Sequence, residues 1–123
     1  MTPEGVRSLV ERAAASWVKG DANAFASLFA PDGEFVVPGQ RWVGVAAIEK
    51  VAAEFAKTKA QVSIKIRRII TDRQQAVVEW QWEEIENGTG KHTQADDVIV
   101  IDFADGQVKR WREYIDDKTP LRK

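Results

Sequence analysis

Two acidic residues, Asp97 and Glu113, lie in the stretch 77–116 of this 123-residue chain, which holds three of its five tryptophans. Side chains alternate between the two faces of a β-strand, so residues two apart share a face. By this rule Glu113 shares a face with Trp111, and Asp97 shares one with Ile99. A carboxylate on an apolar face is costly unless it is paired, hydrogen-bonded or protonated. The pattern therefore predicts two acids of raised pKa in an apolar setting, which suits general acid–base chemistry.

The two acids have a catalytic interpretation and a structural one. If they are catalytic, we expect Glu113 to be the general base and a protonated Asp97 to donate a hydrogen bond. Either acid could instead be a structural acceptor for an indole N–H or a helix N-terminus. A one-residue bulge near Asp96 would also turn that residue inward in place of Asp97. The single histidine, His92, has the opposite parity to Asp97 and is expected at the surface or the rim.

Composition argues against several other kinds of site. The chain has no cysteine, which removes disulfides, thiol nucleophiles and cysteine metal sites. One histidine cannot build a zinc site without several carboxylates, so neither a metal nor another cofactor is expected. With 18 basic and 19 acidic residues the formal charge is −1, and nucleic acid is not an expected partner. No apolar run approaches the roughly 18 residues of a membrane span and no signal-peptide core is present, so we expect a cytoplasmic protein without a membrane partner.

The acids must be positioned by a set of antiparallel strands. Three are predicted within 77–116, because Asn87-Gly88-Thr89-Gly90 and Ala104-Asp105-Gly106 separate alternating apolar runs. Asn-Gly and Asp-Gly between such runs are strong hairpin signals. A fourth strand, 61–71, precedes them, and its alternation breaks near Arg67-Arg68, which predicts a bulge there.

The first half of the chain is predicted to supply helices that cover this sheet. Apolar spacing and capping residues predict three helices, at about 3–19, 22–29 and 45–57. The residues between the second and third helices are interpreted as a turn, 30–33, and two short strands, 34–37 and 40–43. The fold class is therefore α+β, with helices on one face of an antiparallel sheet of four long and two short strands.

The central strand of the trio is apolar on both faces between Val98 and Ile101. Its outer side carries Val98 and Val100, and Tyr114 of the next strand shares that face by parity. An exposed apolar patch on a sheet is typical of a protein–protein contact. We therefore expect a homodimer through the outer sheet face.

Four segments, in order along the chain, carry a family resemblance. They are Trp17-Val18-Lys19-Gly20-Asp21, the segment LFAPDGEF at 28–35, Gly44 before the third helix, and the closing DGQVKRWREYID at 105–116. Together they resemble the nuclear transport factor 2-like superfamily, and specifically its SnoaL-like branch. The resemblance implies one SnoaL-like domain over residues 1–123. It also implies a cone-shaped fold, in which a curved antiparallel sheet wraps around three helices and leaves a pocket at the open end.

The superfamily contains several activities, so the fold alone does not choose the function. It includes polyketide cyclases, limonene epoxide hydrolases, ketosteroid isomerases, dehydratases and non-catalytic binding or dimerisation domains. In the resemblance, Glu113 corresponds to a catalytic aspartate of the epoxide hydrolases. The arginine, second aspartate, tyrosine and asparagine of those enzymes fall here at Trp80, Trp82, Phe35 and Val37.

Asp97 corresponds to the oxyanion-hole aspartic acid of the ketosteroid isomerases. In those enzymes an apolar site keeps that acid protonated so that it can donate a hydrogen bond. Their proton-shuttling aspartate falls at Val37 and their oxyanion tyrosine near Ala13. Polyketide cyclases often pair a carboxylate with a histidine, for which His92 is the one candidate. The chain therefore has one acid of the epoxide hydrolase set and one of the ketosteroid isomerase set, but lacks the other catalytic residues of both sets.

These observations predict an apolar pocket with Asp97 and Glu113 as its only inward ionisable groups. Its expected wall is Trp17, Phe25, Phe29, Phe35, Val37, Trp42, Phe55, Trp80, Trp82, Ala95, Ile99 and Trp111. Such a pocket favours a small apolar or aromatic molecule as partner. If the site is catalytic, the expected reaction is a proton transfer that leads to isomerisation, cyclisation or dehydration. The alternative is a non-catalytic ligand-binding or dimerisation module of the same fold.

Overall fold

The computed structural model describes residues 1–120, which form three helices and a six-stranded curved sheet. The elements are α1 (Pro3–Lys19), α2 (Ala22–Ala26), β1 (Phe29–Val37), β2 (Gln40–Val43), α3 (Val45–Ala56), β3 (Gln61–Asp72), β4 (Gln75–Ile85), β5 (His92–Ala104) and β6 (Gln107–Asp116). Across the sheet the strands follow the order β2-β1-β6-β5-β4-β3. The α+β fold class predicted from the sequence is confirmed.

Local capping fixes where α1 and α2 begin and end. The Thr2 hydroxyl accepts a hydrogen bond from the Gly5 N–H at 3.0 Å, which satisfies a free donor of the first turn of α1. Gly20 ends α1 with φ = 70°, a left-handed conformation that glycine adopts without steric cost. The Asp21 carboxylate then accepts from the Ala24 N–H at 3.0 Å and starts α2. The chain therefore turns sharply between the two helices.

β1 is longer than the sequence predicted. The second helix was expected to reach Phe29, but α2 ends at Ala26 and Phe29 begins the strand. Residues 30–33, expected to be a turn, lie inside β1, which pairs with β6 in parallel and makes the sheet mixed. At Gly33 a Cβ atom would lie 2.8 Å from the Val108 carbonyl oxygen of β6. The pairing of Phe29 and of residues 34–36 with β6 therefore carries the strand through this segment, where the register shifts.

The four long strands, β3 to β6, pair antiparallel as predicted. The predicted bulge in β3 is confirmed by a register shift between Ile66 and Arg68. Asp105 and Gly106 join β5 to β6 with positive φ values of 52° and 75°, as a two-residue hairpin turn requires. The turn between β4 and β5 occupies 86–91 and places Ile85 opposite His92. These turns fix the register on which the site depends.

The inner face of the sheet carries the hydrophobic core. Leu9 and Val10 of α1 share one buried cluster with Val78, Ile99 and Ile101 of the sheet. Since helices cover this face, the other face of the sheet is left to solvent or to a partner. Within residues 1–120, every helix is too short or too polar to cross a membrane.

Candidate ligand-binding and catalytic site

A cavity of about 340 Å³ opens between the helices and the inner face of the sheet. Small-molecule sites commonly occupy clefts of about this size, with apolar walls and a few polar groups. Residues of α1, of α3 and of the sheet contribute to it. Its lining consists of Trp17, Phe35, Val37, Trp42, Val51, Phe55, Trp82, Glu84, Thr93, Ala95, Asp97, Glu113, Ile115 and Asp117.

The wall of the cavity is largely aromatic. The ring of Trp17 lies within 5.6 Å of Phe55, 5.9 Å of Trp82 and 6.1 Å of Phe35, measured between centroids. Trp42 stacks on Phe35 with centroids 5.3 Å apart and an interplanar angle of 28°. Such ring pairs favour offset and edge-to-face geometry and hold each other in place. The wall is therefore a set of mutually packed rings.

Asp97 and Glu113 form the acidic floor of the cavity. The register between β5 and β6 places Asp97 opposite Ile115 and Glu113 opposite Ile99, so the two acids are diagonal neighbours on the inner face. Their exposed fractions are 4% and 8%. Asp96 is exposed on the other face, and the register between β4 and β5 runs without a shift through both residues. The open choice between Asp96 and Asp97 is thus settled in favour of Asp97.

Each acid of the floor accepts a hydrogen bond from a buried indole. Trp80 Nε1 donates to Asp97 Oδ2 at 3.1 Å, and Trp111 Nε1 donates to Glu113 Oε2 at 2.8 Å. Among residues 1–120, Asp97 Oδ1 is buried and has no hydrogen-bond partner. A buried acceptor without a partner is costly, so this oxygen is able to accept a hydrogen bond from a bound molecule.

Burial governs the protonation of the pair. It raises the pKa of Glu113 to about 8, helped by the neighbouring Asp97 carboxylate and opposed by the Trp111 hydrogen bond. Burial also raises the pKa of Asp97, and its side-chain hydrogen bonds with Trp80 and Glu113 oppose the rise. Near neutral pH the pair therefore keeps a proton, which resides on Glu113. The sequence-based expectation gave the protonated role to Asp97, whose pKa is raised as well.

The predicted pocket residues divide into two groups. The cavity wall contains Trp17, Phe35, Val37, Trp42, Phe55, Trp82 and Ala95, together with Asp97 and Glu113. The remaining ones lie in the core instead, and their placement in the wall is corrected: Phe25, Phe29, Trp80, Ile99 and Trp111, each at most 2% exposed. Parity identifies which face of the sheet a side chain lies on, but not whether helices cover it there. Where helices cover the inner face, its residues belong to the core and not to the cavity wall. Trp80 and Trp111 reach the site only through their hydrogen bonds to the acids.

Five residues of the lining were missed from the sequence: Val51, Glu84, Thr93, Ile115 and Asp117. Parity would have found four of them, since Glu84 follows Trp82 by two residues and Thr93 precedes Ala95 by two. Glu84 accepts a hydrogen bond from Trp82 Nε1 at 2.9 Å. The expectation that only two ionisable groups face the cavity is therefore wrong, because Glu84 and Asp117 also face it.

Other ionisable groups do not add a histidine or a metal centre to the cavity. His92 is exposed and its Nε2 lies 3.3 Å from Glu83 Oε2, outside the lining. Among residues 1–120, no group of three or more histidine or acidic side chains is arranged to hold a metal ion. The polar groups of the lining side chains are therefore four carboxyl groups, the Thr93 hydroxyl and the indole N–H groups of Trp17, Trp42 and Trp82.

Comparison with known families identifies the class of this fold and site. The SnoaL-like domain model matches residues 10–111, and the chain belongs to this family. A sequence comparison with curated proteins gives no match.

Solved structures with the same fold come from proteins of different kinds. A protein with a ketosteroid isomerase-like fold from Catenulispora acidiphila DSM 44928, in complex with trimethylamine, is 20% identical with a TM-score of 0.80, covering 93% of this chain and 86% of that one. An LEH-like epoxide hydrolase from M. tuberculosis is 22% identical with a TM-score of 0.79, covering 94% and 84%. A candidate SnoaL-like polyketide cyclase from Jannaschia sp. CCS1 is 16% identical with a TM-score of 0.79, covering 94% and 90%. At these identities the likeness establishes the fold, and the activity has to be argued from the site.

Proposed function

We propose that this protein binds a small apolar or aromatic molecule in the cavity and catalyses a proton transfer on it. The observation that carries this proposal is the Asp97–Glu113 pair on the floor, where one acid is protonated near neutral pH and the other offers an unpaired oxygen. Two carboxyl groups can act as an acid and a base when their environments give them different pKa values. Solved relatives of the fold include an epoxide hydrolase and a protein in complex with a small molecule, which is consistent with a ligand site.

Each acid has a defined part in the proposed reaction. Asp97 Oδ1 takes a proton from a carbon next to a carbonyl group of the ligand, and the C–H electron pair moves into an enolate. Glu113 donates a hydrogen bond to the carbonyl oxygen, where the negative charge develops. Return of the proton from Asp97 to a different carbon gives isomerisation. Attack of the enolate carbon on a second carbonyl group, whose oxygen takes the proton back from Asp97, gives cyclisation. Expulsion of a β-hydroxyl as water, with a proton from Glu113, gives dehydration.

The aromatic wall supports this chemistry in two ways. It excludes water, which strengthens the electrostatic interactions on the floor and keeps the pKa of Glu113 raised. It also presents flat faces, such as those of Trp17 and Trp82, against which a planar ligand can stack. An apolar or aromatic ligand with one carbonyl group therefore fits both the wall and the floor.

Deuterium exchange tests proton abstraction without knowledge of the natural substrate. Small aromatic ketones are incubated with the protein in D₂O, and exchange at the carbon next to the carbonyl is followed by NMR. We expect exchange with the native protein and a loss of about 100-fold in Asp97→Asn, since general-base catalysis typically contributes this much. The matched control is Asp96→Asn, on the opposite face of β5, which should exchange as the native protein does. Equal exchange in Asp97→Asn would refute the assigned base.

A second candidate function is supported by the hydrogen bonds of the floor. Both acids accept an indole N–H, from Trp80 and Trp111, which is also what structural core acids do. In that case the protein is a non-catalytic binding module of the same fold. Calorimetry separates the two candidates: a ketone that binds with heat release but never exchanges deuterium favours the binding module.

We also propose a homodimer through the outer face of the sheet. An apolar row crosses this face, because Ile70 lies opposite Val77 and Val77 lies opposite Val100. Beside it Tyr114 is 50% exposed, with the Arg112 guanidinium 4.6 Å from its ring centroid. An apolar row flanked by an aromatic residue and an arginine has the composition of a protein–protein interface.

A further inference from the structure

The cavity lining carries acidic side chains and no basic ones. Of the fourteen described residues that line it, four carry carboxyl groups (Glu84, Asp97, Glu113 and Asp117) and none is lysine, arginine or histidine. Arg67 and Arg68 line a neighbouring cavity that also includes Asp97, and both are paired there. Arg68 Nε lies 2.9 Å from Glu79 Oε1, and Arg67 donates to Gln81. The influences on the pKa of Asp97 are burial, two side-chain hydrogen bonds and the charge of Asp96. The lining itself therefore supplies no positive charge to these carboxyl groups.

The aromatic wall is also suited to a cation. Five of the lining residues are aromatic, and the rings of Trp17, Phe55 and Trp82 contact one another at centroid distances of 5.6 to 5.9 Å. The face of an aromatic ring attracts a positive charge, most strongly for tryptophan, and the attraction grows as water is excluded. Several such faces around one point form a cage that favours an ammonium group over a neutral group of the same shape.

One atom of the floor lacks the donor that an ammonium group would supply. Asp97 is buried, with 4% of its surface exposed, and its Oδ1 has no hydrogen-bond partner among residues 1–120. Its other oxygen, Oδ2, is already held by Trp80. An N–H of a protonated amine would satisfy Oδ1 with a charge-assisted hydrogen bond, about twice as strong as a neutral one.

We infer that the ligand of this cavity carries a protonated amine, which is held by Asp97 Oδ1 and by the faces of the surrounding tryptophans. This inference rests on the ligand-binding part of the proposed function and narrows its ligand from apolar or aromatic molecules to amines that carry an apolar or aromatic group. It favours the binding-module candidate, because an ammonium group on Asp97 Oδ1 occupies the oxygen that the proton transfer needs as its base. The ammonium group lies at the floor, and the apolar part of the ligand occupies the aromatic wall.

Calorimetric titration of the full chain with three matched probes tests the inference. Benzylammonium, benzyl alcohol and benzoate share a phenyl ring and differ in charge. We expect benzylammonium to bind roughly tenfold tighter than benzyl alcohol, and benzoate to bind more weakly than both. Equal binding of benzyl alcohol and benzylammonium, or tighter binding of benzoate, overturns the amine inference and leaves the apolar pocket intact. No binding of any probe overturns the pocket function as well.

Variants locate the charge that selects the amine. Asp97→Asn should remove most of the preference for benzylammonium over benzyl alcohol, while Asp96→Asn on the outer face should keep it. A second matched pair, Glu84→Gln in the lining and Glu83→Gln outside it, covers the case in which Asp97→Asn fails to fold. Glu84→Gln should reduce the preference and Glu83→Gln should not. A preference that persists in both lining variants overturns the inference.

Discussion

The indole nitrogen of Trp80 lies 3.1 Å from Oδ2 of Asp97 and donates a hydrogen bond to it. The two residues face each other across β4 and β5, and both are buried, with 1% and 4% of their surface exposed. The core tryptophan thus holds one carboxylate oxygen, and the other oxygen, Oδ1, has no partner among residues 1–120. The carboxylate of Asp97 therefore has one oxygen that is fixed by the core and one oxygen that can bind a ligand.

Removal of this donor should destabilise the protein. In Trp80→Phe the ring is largely kept, but Asp97 Oδ2 loses its partner in the core. Leaving a buried acceptor unsatisfied costs about 1–3 kcal/mol, and we expect the free energy of unfolding in urea to fall by that amount, with some further loss from the smaller ring. The control is Trp82→Phe, whose acceptor Glu84 is half-buried and can bind water instead. Equal losses in the two variants would show that the hydrogen bond to Asp97 contributes little.

Glu113 should make the stability of the protein depend on pH. Its pKa rises from 4.5 to about 8 on folding, so between these values the folded chain binds a proton that the unfolded chain has released. The free energy of unfolding therefore falls as pH rises through this range, and the contribution is fully present only below pH 4.5. In Glu113→Gln this fall should shrink by more than about 1.4 kcal/mol, the value of one pKa unit.

Urea unfolding at a series of pH values measures this effect. The matched control is Glu11→Gln, at an exposed position of α1, which should follow the native curve. A Glu113→Gln curve parallel to that of the native protein would contradict the raised pKa.

Filling the cavity should abolish ligand binding without unfolding the protein. Ala95 lines the cavity from β5, so Ala95→Leu places three extra carbons into the empty space rather than into packed core. We expect the dissociation constant of any probe ligand to rise by roughly tenfold or more, with the unfolding midpoint unchanged or higher. Gln94→Leu, on the exposed face next to it, is the control and should leave binding unaltered. Unchanged affinity in Ala95→Leu would place the ligand elsewhere.

The proposed dimer should depend on the apolar row of the outer face. We expect a dimer at micromolar concentration by size-exclusion chromatography with light scattering, and a monomer for Val100→Lys, because a lysine in the centre of such a contact would be left unpaired. Val43→Lys, at an exposed position of β2 on the far side of the sheet, should remain dimeric. A native protein that elutes as a monomer would overturn the proposal.

The local parts of the fold could be predicted from the sequence. Gly20, Asp21 and the Asp105-Gly106 turn encode their conformations in their own residue types, and the hairpins that follow set the register. The turn signal at 30–33 failed because the partner of this segment, β6, lies more than 70 residues away in sequence. Nothing in a local window indicates that an Ala-Pro-Asp-Gly segment will be drawn into a parallel strand.

The sequence could predict which residues lie on the inner face of the sheet, but not which of them line the cavity and which are buried in the core. Alternation placed Asp97 inward because a strand has a fixed period of two. It could not separate Trp80, which is core, from Trp82, which lines the cavity, since both share one face of β4. That difference depends on how far the helices extend over the sheet, which is a tertiary property. The raised pKa values of Asp97 and Glu113, by contrast, could be predicted, because alternation had already placed both acids on an apolar face.

The three indole-to-carboxylate hydrogen bonds have an optical consequence. Trp80, Trp82 and Trp111 each donate to a different carboxyl group of the cavity, so three of its four carboxyl groups are each bonded to their own chromophore. The excited state of indole has a large dipole, and its emission responds to a charge at its nitrogen. Neutralisation of any of these carboxylates, by a proton or by a bound cation, should therefore shift the intrinsic ultraviolet emission without any added dye.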